Sequence, residues 1–369
     1  MTIGLGLRQA RPRPANEPGS EGREVTVKPV PKRAGRARVA LAALGLALIA
    51  AAVLALPAGA SYPGPNGLIS LRAVVDDHSQ LFTIDPTFSQ LTQLTHLTDG
   101  DVASAAHWSP DMSMLTFEVD PSNACAQVAL LSASGGDPTL LPLANGDVCE
   151  GSPTFSADGT RIIYEGYNGR FCRARSFCAG GRDALYSMNL DGSDRRILTS
   201  CEGAGVSAPE ASPDGKMLAF TCGGRDGSAL FVSSASGSQL RKLTPFSMQV
   251  GFHEDWSPDS RRIMFITVPN DGTPQAQVNT WTIGADGSGL TALTNYPPGG
   301  LRAYGNSYSP DGRVIVTRIE KNNPSGDGFQ SALFLIPVAG GTPIQVTDYS
   351  PFRPRGMVWG TRCPCAPTP

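Results

Sequence analysis

Three side chains able to do acid–base or metal chemistry, His107, Glu210 and Asp255, each stand directly before the opening residue of a recurring phrase, Ser-(Pro/Ala)-Asp. His253 and Glu254 sit beside Asp255. Equivalent positions of a repeat converge in space, and an imidazole set among carboxylates can hold a divalent metal and activate water. The same residues also suit a plainer task, satisfying strand ends and binding buried water. Because they come from distant segments, no spacing rule separates the two readings.

A second constellation is contiguous: Gly169-Arg170-Phe171-Cys172-Arg173-Ala174-Arg175-Ser176-Phe177-Cys178-Ala179-Gly180-Gly181-Arg182. Arg170, Phe171, Arg173, Arg175 and Phe177 give this segment the Arg-and-aromatic composition of interface hot spots, and Cys172 with Cys178 would staple it. The plainer alternative is a solvated, stapled loop. Catalytic signatures are missing: there is no Gly-x-Ser-x-Gly elbow, no His-Glu-x-x-His and no phosphate-cradling glycine loop, and the chain has four histidines. The sequence calls for no cofactor.

The phrase itself fixes the elements that position these residues. It occurs five times, as Trp108-Ser109-Pro110-Asp111, Phe155-Ser156-Ala157-Asp158-Gly159, Ala211-Ser212-Pro213-Asp214-Gly215, Trp256-Ser257-Pro258-Asp259 and Tyr308-Ser309-Pro310-Asp311-Gly312. Successive Asp residues are 47, 56, 45 and 52 positions apart, the length of a four-stranded propeller blade plus insertions. Pro, Asp and Gly are tight-turn residues, so Met112 and Ser260, which replace the Gly in two copies, should be slightly strained. An apolar strand follows each turn, as in Ile162-Ile163-Tyr164 or Met264-Phe265-Ile266, and then a second strand such as Leu230-Phe231-Val232. Outer strands close with Leu198-Thr199, Leu243-Thr244, Leu293-Thr294 or Val346-Thr347.

Six second strands stand against five phrases. The missing copy is divided: Pro65-Asn66-Gly67-Leu68-Ile69 matches Pro310-Asp311-Gly312-Arg313-Val314, and Met357-Val358-Trp359 matches the strand that runs into the turn. The expectation is an all-β, six-bladed β-propeller over residues 61–362, with one blade closed by strands from both termini and no open sheet edge. With 42 Gly and 31 Pro in 369 residues, composition fits many short strands and tight turns.

The Trp-Ser-Pro-Asp-Gly turn followed by Asp-Gly-Ser and Leu-Thr resembles the TolB-like propeller repeat, a WD-repeat-like family of exported bacterial proteins. The resemblance covers roughly residues 62–360 and implies a six-bladed propeller with a role in the cell envelope.

Residues 1–38 hold nine Lys or Arg against three Glu and read as a basic disordered leader; residues 39–56 are uninterruptedly apolar and lead to Ala58-Gly59-Ala60. That is the pattern of a signal peptide cut after Ala60, and eighteen apolar residues are also just enough for a retained membrane anchor. Residues 39–369 carry 21 basic and 29 acidic groups, a net −8, which disfavours nucleic acid. The expected partner is an envelope protein, a glycan or a small molecule, bound by a monomer that meets membrane only through its N-terminal segment.

Eight cysteines in an exported chain read as disulfides. Propeller topology puts Cys125, Cys149, Cys172, Cys178, Cys201 and Cys222 on the face opposite the Ser-Pro-Asp turns. Local pairs 125–149, 172–178 and 201–222 are the simplest set, with 149–201 as a rival, and Cys363 and Cys365 lie in a Cys/Pro tail over residues 363–369. The reading that emerges is a non-enzymatic, extracytoplasmic binding scaffold, periplasmic, surface-attached or secreted. The alternative is a metal-dependent hydrolase or lyase using the channel His and carboxylates.

Overall fold

The structure is a computed structural model and describes residues 62–121, 125–143, 148–168, 183–202, 204–224, 226–268, 277–323, 328–350 and 352–362. The leader, the apolar run, the Arg-Phe loop with Cys172 and Cys178, and the Cys363-Pro364-Cys365 tail lie outside the described residues.

Six small antiparallel sheets form the blades of a β-propeller. Blade one contains β1 (Asn66–Val75), β2 (His78–Ile84) and β3 (Leu91–Gln93). Blade two has its inner strand in two pieces, β4 (Asp101–Val102) and β5 (His107–Trp108), then β6 (Met114–Asp120), β7 (Gln127–Ser132) and β8 (Thr139–Leu140). Blade three is β9 (Val148–Phe155), β10 (Arg161–Asn168), β11 (Ala184–Asn189) and β12 (Arg196–Thr199). Blade four is β13 (Gly205–Ala211), β14 (Met217–Gly224), β15 (Gly227–Ser234) and β16 (Arg241–Lys242). Blade five is β17 (Asp255–Trp256), β18 (Arg262–Thr267), β19 (Asn279–Gly284) and β20 (Thr291–Ala292). Blade six is β21 (Arg302–Tyr308), β22 (Val314–Asn322), β23 (Phe329–Pro337) and β24 (Ile344–Gln345), after which β25 (Arg355–Thr361) returns to pair with β1.

Each recurring phrase makes the turn from inner to second strand with one set of bonds. The Ser hydroxyl donates to the Asp Oδ1 at 2.6–2.8 Å. The N–H two residues after the Asp donates to the same oxygen at 3.0–3.2 Å. The N–H opening the next strand donates to the Ser hydroxyl at 2.9–3.1 Å. The turn thus satisfies its own backbone, and its last position requires the left-handed region: Gly159, Gly215 and Gly312 have φ of +69°, +69° and +71°, and Met112 and Ser260 are held at +62° and +59°. The Leu-Thr signature ends the blade by a related device. Thr95, Thr244, Thr294 and Thr347 accept the backbone N–H of Leu81, Leu230, Thr280 and Leu333 through Oγ1 at 2.9 Å, so a hydroxyl takes the place of a ladder carbonyl and the outer strand stops.

The core lies between blades. Trp256, Ile263 and Phe265 of blade five pack with Ala219, Leu230 and Val232 of blade four, and the Trp256 indole N–H donates to the Glu210 carbonyl of the preceding inner strand at 3.1 Å. Ring closure repeats this across the chain ends. Ile69 pairs with Trp359 and Ser70 with Val358. Asn66, which stands at the Asp position of the divided copy, instead exchanges hydrogen bonds with Asp311 of the neighbouring turn at 3.3 and 3.4 Å. A Cβ on Gly67 would sit 2.2 Å from the Thr361 carbonyl oxygen, so only glycine permits this approach of the two ends.

Candidate functional site

His107, Glu210 and Asp255 are the last residues but one of three inner strands, and the structure brings the first two into contact between blades two and four. His107 Nδ1 of blade two lies 3.1 Å from Glu210 Oε1 of blade four without hydrogen-bond alignment, and Thr154 of blade three donates to Glu210 Oε2 at 3.2 Å. Three blades therefore meet over one buried carboxyl. Burial, with Asp255 and Glu254 adding repulsion, holds Glu210 well above the usual carboxylate range. Burial takes His107 down to about 4, so the imidazole is neutral at neutral pH and faces a carboxyl whose charged form burial disfavours.

Asp255 is engaged elsewhere: its Oδ2 accepts the N–H of Tyr308 in the next inner strand at 2.6 Å. Glu254 accepts the Thr221 hydroxyl and, at 3.2 Å, the N–H of His253, and burial raises it to about 7. His253 has a φ of +138°, a strained value for a residue with a side chain, and is taken down to about 3 by burial and by the charges of Arg318, Arg72 and Arg355. Among the described residues no three His, Cys, Asp or Glu side chains are arranged to hold a metal ion. His107 and Glu210 are brought together, whereas Asp255 is bonded to Tyr308 and Glu254 to Thr221 and His253.

Tyr62 enters the same space from the Ser-Pro-Asp side. It is buried, and its phenol is raised well above its ordinary value by burial and then by Glu210, Asp111 and Asp158, residues of three different blades. The segment carrying it is tied to the turns by Gly64 N–H donating to the Pro310 carbonyl at 3.2 Å.

Sequence reasoning missed the arginines at the other end. Glu320 in β22, with 1% of its side chain exposed, receives Arg353 at 2.7 Å, Arg318 at 3.3 Å and Arg302 at 3.7 Å. Arg302 lies over the Phe329 ring at 3.7 Å and Arg318 over Tyr304 at 4.2 Å. Arg318 also donates to the Pro354 carbonyl, and Arg72 to the Val102 carbonyl, each at 3.1 Å. The corresponding reach from blades two and three is acidic: Glu118 and Glu165 accept the N–H groups of Ser152 and Ala208 in the next inner strand at 3.2 and 3.3 Å. The sequence signal was present in Arg318 and Glu320, which break the apolar alternation of a strand.

Two disulfides pin this loop-bearing face. Cys125 is bonded to Cys149 and Cys201 to Cys222, with Cα atoms 4.7 and 5.9 Å apart, so the rival 149–201 pairing is not adopted.

No protein-family model and no curated protein sequence matches the chain. Solved structures do. TolB from Acinetobacter baumannii superposes with a TM-score of 0.61 at 16% identity, over 80% of this chain and 67% of that one. A putative TolB from Agrobacterium tumefaciens gives 0.54 at 18% identity, over 76% and 90%. This chain carries a TolB-like propeller fold. An oligogalacturonate lyase solved with manganese superposes on the same TolB-like propeller with a TM-score of 0.51 at 12% identity, over 80% and 90%. Identities this low speak for the fold alone.

Proposed function

We propose that this TolB-like propeller is a non-enzymatic, extracytoplasmic scaffold that binds a protein or another cell-envelope ligand on the face bearing the second-to-third-strand loops and the crossovers between blades. The observation that carries the reading is the state of the channel. Glu210, Asp255 and Glu254 are buried, with His107 against Glu210, Asp255 on the Tyr308 N–H and Glu254 on the Thr221 hydroxyl, and the loop-bearing face is pinned by two disulfides. A rigid loop-bearing face over an occupied channel suits recognition. Disulfides also favour an oxidising compartment, which agrees with the basic leader, the apolar run and the Ala58-Gly59-Ala60 site.

The Arg-Phe loop belongs to the same proposal as a docking element. The test is capture from envelope extract with the immobilised protein, together with metal analysis of the purified chain. A specific partner captured by wild type, and captured less well when Arg170, Arg173 and Arg175 are changed to Ala, is the expected result. Stoichiometric bound metal with hydrolase or lyase turnover would overturn the scaffold reading in favour of a metal enzyme.

A further inference from the structure

The Ser-Pro-Asp end of the channel is crossed by the segment that precedes β1. Tyr62-Pro63-Gly64-Pro65 bends at its last three residues, and Pro63 and Pro65 are exposed while Tyr62 is buried, so the chain runs over the turns and sends one ring inward. Its fixed points lie on blades six and one. Gly64 N–H donates to the Pro310 carbonyl at 3.2 Å, and the Pro65 carbonyl accepts the N–H of Arg362, just after β25, at 2.8 Å. The Tyr62 phenol extends toward the opposite side of the ring, within electrostatic reach of Asp111, Asp158 and Glu210 of blades two, three and four.

Beneath it lies the His107–Glu210 pair. Both residues hold the last place but one in an inner strand, which puts them at this end of the channel, where solvent would have first access. Their side chains are nevertheless only 13% and 6% exposed. A ring of blades leaves a hole on its axis, and a side chain brought in from outside the blades can fill it. The two prolines suit the segment to that task. Each fixes its own φ and disfavours helical backbone at the residue before it, Tyr62 or Gly64, so little chain entropy is lost when the ring is seated.

We propose that residues 62–65 form a strap across the Ser-Pro-Asp end of the channel, with the Tyr62 ring as its stopper, and that this ring keeps solvent and small solutes from the His107–Glu210 pair. Backbone bonds at Gly64 and Pro65 tie the strap to its neighbours, and residues 62–65 belong to no sheet, so it can lift without unpairing a strand. The strap is independent of the scaffold reading, since it closes the end of the channel away from the loop-bearing face.

The test is acylation of histidines in the intact protein by diethyl pyrocarbonate at neutral pH, read by peptide mass spectrometry. The reagent needs a neutral imidazole, which His107 supplies because burial takes it down to about 4; His78, whose side chain is 35% exposed, is the internal standard. In wild type, His107 should react far more slowly than His78. Tyr62→Ala should raise the His107 rate by roughly tenfold or more with the His78 rate and the far-ultraviolet spectrum unchanged, and Tyr62→Phe, which keeps the ring, should protect His107 as wild type does. Gly64→Pro, which removes the N–H bonded to the Pro310 carbonyl and leaves Tyr62 in place, should raise the His107 rate by a smaller factor. Reaction of wild-type His107 at the His78 rate, an unchanged His107 rate in Tyr62→Ala, or loss of protection in Tyr62→Phe would overturn the inference. So would equal acceleration at His107 and His253 in Tyr62→Ala, which would mean that the whole ring had loosened. If Tyr62→Ala does not fold, the rates in wild type, Tyr62→Phe and Gly64→Pro decide the matter.

Discussion

Glu254→Gln should make the propeller more stable in alkali and leave it nearly unchanged in acid. Glu254 is raised from an ordinary value of 4.5 to about 7 by burial, against the pull of the Thr221 hydroxyl and the His253 N–H. The folded protein then binds this proton more tightly than the unfolded chain does. The associated stability is fully present below about 4.5 and is lost as pH rises through about 7, because above that value the fold must hold a buried carboxylate. About two and a half pH units at 1.36 kcal/mol each give a penalty of about 3 kcal/mol at pH 8.5. Glutamine keeps the shape and an acceptor oxygen for Thr221 and His253 and carries no charge. At roughly 2 °C per kcal/mol for a domain of this size, Tm of the variant should exceed wild type by about 6 °C at pH 8.5 and by close to nothing at pH 4.5. Differential scanning calorimetry across that range measures it. A difference between the proteins that does not grow with pH would refute the account of a buried, protonated carboxyl. His107 and His253, both lowered, contribute in the opposite direction, losing stability as pH falls through about 4 and about 3, and they are common to both proteins.

Changing Cys201 and Cys222 together to Ser opens a loop with a sequence separation of 21 and should cost about 3 kcal/mol in chemical denaturation, with unchanged stability arguing that the bond is not formed. Deleting residues 352–369 removes β25, Trp359 and Arg353, exposes the edge of β1, and should give insoluble or protease-sensitive protein; cooperative unfolding at the wild-type temperature would refute closure by the two ends. N-terminal sequencing of the native protein should begin at Ser61, one residue before the buried Tyr62, and a mature chain that still holds residues 39–56 would show an anchor instead.

Repetition made the architecture legible. Ser-Pro-Asp-Gly carries its own hydrogen-bond program, since Ser, Asp and the following N–H groups are within five residues of one another, so five local turns announce five blades and Asn66-Gly67 with Trp359 announce the sixth. The cysteine pairs were legible in part: blade order puts the cysteines on one face and makes Cys125 with Cys149 and Cys201 with Cys222 the simplest set, and only the structure decides against the rival 149–201. That His107 and Glu210 approach the channel was also readable, because both hold the same place in the repeat.

What the sequence alone did not determine is where each charge ends up and with whom. His107 meets Glu210 from two blades away, Asp255 serves the N–H of Tyr308, and Glu320 gathers arginines from β21, β22 and the crossover before β25. These contacts join residues up to 103 positions apart in the case of His107 and Glu210, and they depend on the angle at which blades meet. The proton affinities of Glu210 and Glu254 are likewise properties of burial, which no side chain specifies by itself. Local turn chemistry is encoded residue by residue, whereas the chemistry of the channel and its mouth exists only once the ring has closed.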